Sequence, residues 1–400
     1  MTSQLYLMRR HSLVIALTIS MCFAALAAKA QIKVVDSTND NIVILAQIQD
    51  NKGVLLGFTN KDGLIPENIS VKSGYSILHM AYDAHRITDQ EIATGTIEMV
   101  PKVYDVNEVV VKSNSMDYVR LRGYFRKYET IDLMDTITTE FTDGIIEYVM
   151  KANSEFSMSN SGRVLAARMY KVNNYGDSIL GGSYWINEKG KESKVNRMVP
   201  KMDSWLLINS ERMKGLDFSL DADTIYGKYW PKAYFAKTGK IINVGTDELA
   251  NKEEHSIHFP LLTLLGIDLK FYDMNENQFY HLRDSGTYKY SNLMGSSSSA
   301  TGVIGGKMIR SRLKKRYPDL KKGDFPAKIK VYSEVFFTDV EYMSKQDAKK
   351  LRKEKGFDDS VEIETPDFVP ELSEATKKLI STALEKQKEA DEKKEQQKDK

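Results

Sequence analysis

A phosphate-binding loop needs a glycine, four residues and then Gly-Lys-Ser/Thr, because its backbone amides cradle phosphate and the hydroxyl reaches the metal. Gly306-Lys307 departs from that pattern twice, with Thr301 where the first glycine belongs and Met308 where the hydroxyl belongs, so no nucleotide site is read here. His255 and His258, beside Glu253 and Glu254, would bring two imidazoles and a carboxylate to one metal on a helix. In a strand that spacing sends the two rings to opposite faces, and Pro260 argues against a continuing helix, so the expectation is a solvated loop pair. His79, His85 and His281 stand alone, as surface and core histidines do. No Gly-x-Ser-x-Gly elbow occurs. Asp221 and Asp223 are a carboxylate pair of the kind glycoside cleavage uses, which requires a separation of about 5 to 9 Å across a cleft. Among 55 acidic residues such a pair is commonplace. These patterns specify no catalytic residue, no cofactor and no metal ligand.

Aromatic residues are the stronger hint. They make up 10% of the chain, and Tyr184, Trp185, Trp205, Tyr226, Tyr229, Trp230 and Tyr234 gather in its middle. Exposed, they form a stacking platform for sugar rings or an apolar trough for a lipid chain; buried, they are the core of a β-rich domain. Burial is the expectation. Trp185, Tyr226, Tyr229, Trp230 and Tyr234 are the candidate ligand contacts, and residues 226–234 are the stretch where exposure would matter most.

Something must deliver and hold these residues. Arg9 and Arg10 precede an uncharged apolar run over residues 13–28, and Ala28-Lys29-Ala30 ends it with small residues where a signal peptidase reads. The run is about 16 residues, short of the roughly 20 that span a bilayer. Residues 1–30 are therefore read as a secretory signal, with the mature chain starting at Gln31. Cys22, the only cysteine, has Met21 where a lipid-anchor site wants a small residue, so cleavage after Ala30 leads and a lipid anchor at Cys22 is the alternative. Cleavage after Ala30 leaves no cysteine, which removes disulfides, thiolate nucleophiles and cysteine-ligated zinc. It also takes three basic residues and no acidic one from the precursor, leaving 54 against 55. That balance is no footprint for nucleic acid. The most apolar later stretch, residues 259–269, contains Asp268 and is too short to cross a membrane, so the body is not expected to be an integral membrane protein.

Residues 31–113 read as short strands at 32–35, 42–49, 54–59, 69–71, 77–82 and 96–100. Asn51-Lys52-Gly53 and Asn60-Lys61-Asp62-Gly63 supply the turns. Ile42, Ile44, Ala46 and Ile48 alternate in period two, which suits one buried face of a small β-sandwich. Val35-Asp36, Ala46-Gln47-Ile48, Thr59 to Gly63, Ile97-Glu98-Met99 and the Val106-Asn107-Glu108-Val109-Val110-Val111 segment together resemble the carboxypeptidase regulatory-like module. That module is a transthyretin-like β-sandwich found at the N-terminus of envelope proteins, including TonB-dependent polysaccharide receptors. The likeness covers about a fifth of the chain. It departs from the pattern where a glycine follows the first strand and where Ala84-His85 replaces a Gly-Tyr pair. It implies a fold and no peptidase activity. The rest of the chain lacks recurring strand pairs of membrane length, so a receptor barrel is not expected.

Residues 116–342 read as a second, antiparallel and curved β-rich domain with a helix or two at its start. Residues 118–128 alternate aromatic or apolar with basic side chains, and Thr142-Asp143-Gly144 is read as a turn before a strand at 145–150. Beyond it lie a strand at 184–186 with a turn at 188–191, a hairpin over 234–244 about Lys237-Thr238-Gly239-Lys240, and a strand at 329–340. Arg-Gly-Tyr-Phe-Arg and Thr-Asp-Gly-Ile-Ile-Glu-Tyr resemble pieces of uncharacterised secreted proteins that carry the same module. Residues 295–306, with serines at 296–299, read as a flexible loop too polar to pack. Ser344 caps a short helix ending before Gly356, and a charged tail helix is expected over 373–390, with the last ten residues fraying. The expected whole is mainly β: signal, module, β-rich domain, and a helical tail over 343–400. The expected role is a non-enzymatic exported protein of the periplasm or outer-membrane surface of a Gram-negative bacterium, with a binding or scaffolding function. Its partners would be envelope proteins, glycan or lipid. A carrier enclosing an acyl chain in a concavity that includes residues 259–265, and a glycan hydrolase with two carboxylates, are the alternatives.

Overall fold

The computed structural model describes residues 31–60, 62–102, 117–134, 136–152, 160–173, 201–202, 213, 215–226, 232–238, 240–247, 266–281, 292–354 and 361–398. It is mainly β. In the N-terminal part, β1 (Lys33–Asp36) pairs in parallel with β6 (Thr96–Met99). β2 (Gln47–Gln49) lies between β3 (Leu55–Phe58) and β4 (Ser76–Leu78), with β5 (His85–Arg86) beyond β4. Helix α1 (Asp89–Thr94) leads into β6; the Thr88 and Glu91 side chains cap each other's amides and Gly95, at φ 74°, ends it. Val34, Ile97 and Met99 from the first sheet meet Ile48 and Ile77 from the second in one core.

Three local expectations fail here, the first being the strand over 77–82, which ends at Leu78 in β4. Residues 69–71 form no strand, and the alternation over 42–49 yields only a bridge at Ile42 and the short β2. Leu45 takes φ 61°, which breaks the period. Thr59 covers the break, its hydroxyl accepting the Ala46 amide at 2.9 Å and donating to the Val43 carbonyl at 2.7 Å.

The larger part is one antiparallel sheet of nine strands. It comprises β7 (Tyr118–Leu133), β8 (Thr136–Lys151), β10 (Arg163–Asn173), β12 (Ala222–Tyr226), β13 (Lys232–Thr238), β14 (Ile241–Asp247), β15 (Asp268–His281), β16 (Leu293–Gly305) and β17 (Ala327–Met343). Their order is β10-β8-β7-β17-β16-β15-β14-β13-β12. β9 (Asn160–Ser161) and β11 (Lys201–Met202) pair separately. The hairpin about residues 237–240 and the strand at 329–340 are where the sequence puts them. The turn at 142–144 is not: those residues lie inside β8, with Gly144 opposite Phe125 and Thr142 opposite Lys127. No helix opens this part among the described residues. Residues 184–191 fall outside them, as do the expected signal at 1–30 and the 106–111 segment.

The largest correction is the serine loop, which is the inner strand β16. A strand paired on both sides satisfies its backbone without needing apolar side chains, and here small residues are a packing requirement. A Cβ on Gly295 would collide with the Val335 carbonyl oxygen, and one on Gly302 would collide with that of Lys270. The Ser298 and Ser333 hydroxyls bond across the strands at 2.8 Å.

Alternation gives the sheet two buried faces. Tyr124, Phe279, Ile241 and Phe336 pack against the N-terminal module. Val119, Leu121, Phe125, Tyr148, Val244 and Val335 form a core on the other face. Helix α2 (Lys307–Leu313) closes one end, with Ile309 and Leu313 against Leu133 and Ala327. Helix α3 (Lys345–Leu351) is capped by Ser344 as expected. Helix α4 (Glu374–Lys398) continues past residue 390, where its Glu, Lys and Gln content favours helix over fraying. The strap before it and its first turns lock the parts together. Val369 enters the module core. Leu379 joins Leu45, Leu55 and Phe58 of the module to Tyr128, Phe141 and Tyr332 of the sheet. The Gln49 side-chain oxygen accepts the Ser373 and Thr376 hydroxyls at 2.8 and 3.1 Å. Among the described residues no helix is long and apolar enough to cross a membrane.

Candidate functional site

The aromatic candidates do not act as one surface. Tyr226 lies on the edge strand β12 and is 60% exposed, against the expectation of burial. Tyr234, on the neighbouring strand, is buried; its hydroxyl donates to Asn277 at 2.8 Å, and burial pushes its ionisation well above the usual tyrosine range. Trp185, Tyr229 and Trp230, with Tyr184 and Trp205, lie outside the described residues, as do His255 and His258. The Asp223 carboxylate is occupied in shaping its own turn, accepting the Asp217 amide at 2.8 Å and the Thr224 amide at 2.7 Å. His85 pairs with Glu91 at 2.7 Å. His79 is a core residue whose ring meets Tyr82 and Phe279 edge-on, and burial pushes its pKa down to about 4. Among the described residues no group of three His, Cys, Asp or Glu side chains is placed to hold a metal ion.

A carboxylate pair does exist, at residues that no sequence motif marks. Glu129 and Glu140 face each other across β7 and β8, with Lys127 at 2.5 Å from Glu129 and 3.9 Å from Glu140. All three are buried. Burial raises the Glu140 pKa, Lys127 opposing it and Glu129 adding to it. The residual signal in sequence is the period-two placing of Lys127 and Glu129 on either side of Tyr128, charges set into a long strand.

A second charged cluster sits between sheet, module and strap. Arg126 is buried; its guanidinium donates to the Pro370 carbonyl at 2.7 Å and lies 3.8 Å from Glu334. Its Nε reaches the Tyr124 hydroxyl at 3.4 Å, which donates to Asp143 at 2.9 Å. Arg168 then grips Asp143 through two bonds of 3.0 and 2.6 Å. Burial pushes the Glu334 pKa up to about 7 against the pull of Arg126. These charges are spent on one another and on backbone.

A different geometry stands at the outer edge of the module. An open cleft of about 530 Å³ separates β5 and residues 83–84 from the strap and the start of α4. Arg86, Lys102 and Lys378 line it, together with Asp83, Asn51 and Ser76. Gly74 shapes the floor: a Cβ there would stand 3.1 Å from the Asn51 side-chain oxygen and 3.3 Å from an Arg86 nitrogen. Its φ of 85° is one that glycine alone adopts readily.

No family model matches the chain, and no curated protein matches it. Among solved structures it is similar to "Lipid-protein interactions in lipovitellin", at 8% identity and a TM-score of 0.29, over 58% of this chain and 26% of that one. The chain thus spans about a quarter of the length of that structure, and a likeness this slight carries no argument.

Proposed function

We propose that this chain is a non-enzymatic exported protein of the cell envelope with a binding or scaffolding role, its N-terminal module being of the carboxypeptidase regulatory-like type. One observation carries the reading: the joint through which Arg126, Glu334 and the Pro370 carbonyl tie sheet and strap beneath the module. A joint of this kind makes a stiff body that presents surfaces, and stiffness is what a scaffold needs. In the Lys127, Glu129 and Glu140 triad the ammonium lies at 2.5 Å from Glu129 and 3.9 Å from Glu140, and all three are buried inside the sheet rather than set in a cleft.

The test is to incubate the mature protein with isolated envelope glycan and lipid pools, and to follow both protein and pools by mass spectrometry. Retention of a component with unchanged mass supports the reading. A shortened glycan product that disappears with Glu129→Gln overturns it in favour of hydrolysis. The concavity that the carrier alternative needs, over residues 259–265, lies outside the described residues, and Val119, Leu121, Phe125 and Val244 are buried in a core. A carrier would emerge in the same experiment as a copurifying acyl lipid displaced by added fatty acid.

A further inference from the structure

We infer that the 530 Å³ cleft between the module and α4 is a binding site for a hydroxyl-bearing anion, an acidic or phosphorylated sugar. Its volume lies in the range of pockets that enclose small ligands. The acids around it are largely paired already, and the cations are not. Glu371 and Glu374, which also line the cleft, are bridged by Lys377 at 3.2 and 2.9 Å and are largely exposed. His85 is held by Glu91. Arg86, Lys102 and Lys378 come from three separate places in the chain, and none lies within ion-pair distance of a described carboxylate. Among the described acids of the lining, Asp83 alone stands outside a salt bridge.

The lining thus carries three cations and three carboxylates, of which Glu371 and Glu374 are bridged by Lys377 while the three cations have no described carboxylate at ion-pair distance. Burial is the main reason the Lys102 ammonium is held below the usual lysine range, with Asp83 and Glu371 opposing it and Arg126 adding to it. An anion beside Lys102 adds to the compensation that Asp83 and Glu371 give it. Arg86, seated against Gly74, offers a planar fork that suits carboxylate or phosphate oxygens. Asp83 accepts and Asn51 both donates and accepts, so hydroxyls next to the anionic group also find partners. An apolar ligand would leave these groups unsatisfied, and among the described residues no group of three His, Cys, Asp or Glu side chains is placed to hold a metal cation. This site goes beyond the scaffold reading and does not depend on where the protein resides.

The experiment is calorimetric titration of the mature protein with glucuronate, glucose 6-phosphate and neutral glucose, and of vesicles of phosphatidylcholine with and without phosphatidylinositol. Binding of either soluble anion but not glucose is expected, weakening as salt is raised. Vesicle binding that requires phosphatidylinositol also supports the site and identifies the sugar phosphate as a lipid headgroup. Arg86→Gln and Lys102→Gln should each weaken binding at least about tenfold. Lys349→Gln, on the exposed side of α3 and outside the cleft lining, should leave it unchanged. Thermal melts confirm that each variant folds. No binding of any anionic probe up to about 10 mM, or binding indifferent to Arg86→Gln and Lys102→Gln, overturns the site while leaving the scaffold reading standing.

Discussion

The joint around Arg126 and the cleft around Arg86 are both charged regions where the N-terminal module meets other parts of the chain, and they spend charge in opposite ways. In the joint each ionisable group has a protein partner: Arg126 has Pro370 and Glu334, and Asp143 has Tyr124 and Arg168. In the cleft three cations have no described carboxylate at ion-pair distance. Burial explains the contrast. A charge fully removed from water must be compensated within the protein, whereas charges lining an open cleft keep part of their hydration and stand without an ion-pair partner. Charge alone therefore does not mark a site; charge without a partner, in a concavity, does.

The sharpest way to break this contrast is Arg126→Met, which strips a buried charge from its partners and leaves Glu334 alone. Urea unfolding should show a loss of about 3 to 5 kcal/mol, whereas Arg86→Gln should move stability by no more than about 0.5 kcal/mol. A similar loss from both would erase the distinction. Glu334→Gln sharpens it through pH. The folded pKa of Glu334 is raised from 4.5 to about 7, so the folded protein holds a proton that the unfolded chain releases between those values. Its contribution to stability is thus most favourable below about pH 4.5, falls as pH rises to about 7 and is then constant. Integrated, that fall amounts to about 3 kcal/mol. Relative to wild type, Glu334→Gln should gain stability across that window, measured as the difference between two stability-versus-pH curves. His79 gives the opposite slope: its folded pKa is lowered from 6.5 to about 4, so stability is lost as pH falls through that range. His79→Phe should flatten that arm.

Gly295→Val probes the seam where β16 meets the module. Its Cβ would press on the Val335 carbonyl and stand 2.8 Å from the Met80 sulfur, costing about 1 to 3 kcal/mol. The smallest effect is expected from Lys377→Gln, an exposed pair worth no more than about 1 kcal/mol.

Much of the fold was legible where side chains alternate. Residues 329–340 and 118–128 sit in long strands because apolar and polar positions repeat every two residues. The serines of β16 were unreadable by the same rule, since their reason for being small lies on the neighbouring strands β15 and β17. Thr142-Asp143-Gly144 carries turn chemistry, yet two flanking strands hold it extended, so pairing overrides local preference. The candidate site was not legible. Arg86, Lys102 and Lys378 are far apart in sequence, and only the docking of α4 on the module brings them round one cleft. Tyr226 and Tyr234 were readable as a cluster, but exposure separates them.

The middle of the sheet pairs β7 with β17, Tyr118 opposite Met343 and Leu133 opposite Ala327. The strands before β17 fall into two ribbons, β7-β8-β10 and β12 to β16, that touch the same seam but not each other. A chain still emerging, or cut anywhere before β17, holds two half-sheets, each with a long open edge at the place where the finished protein is most buried. Such edges invite pairing with another copy. Assembly of this protein is therefore a race, in which the arrival of one late strand determines whether the two ribbons join each other or a stranger.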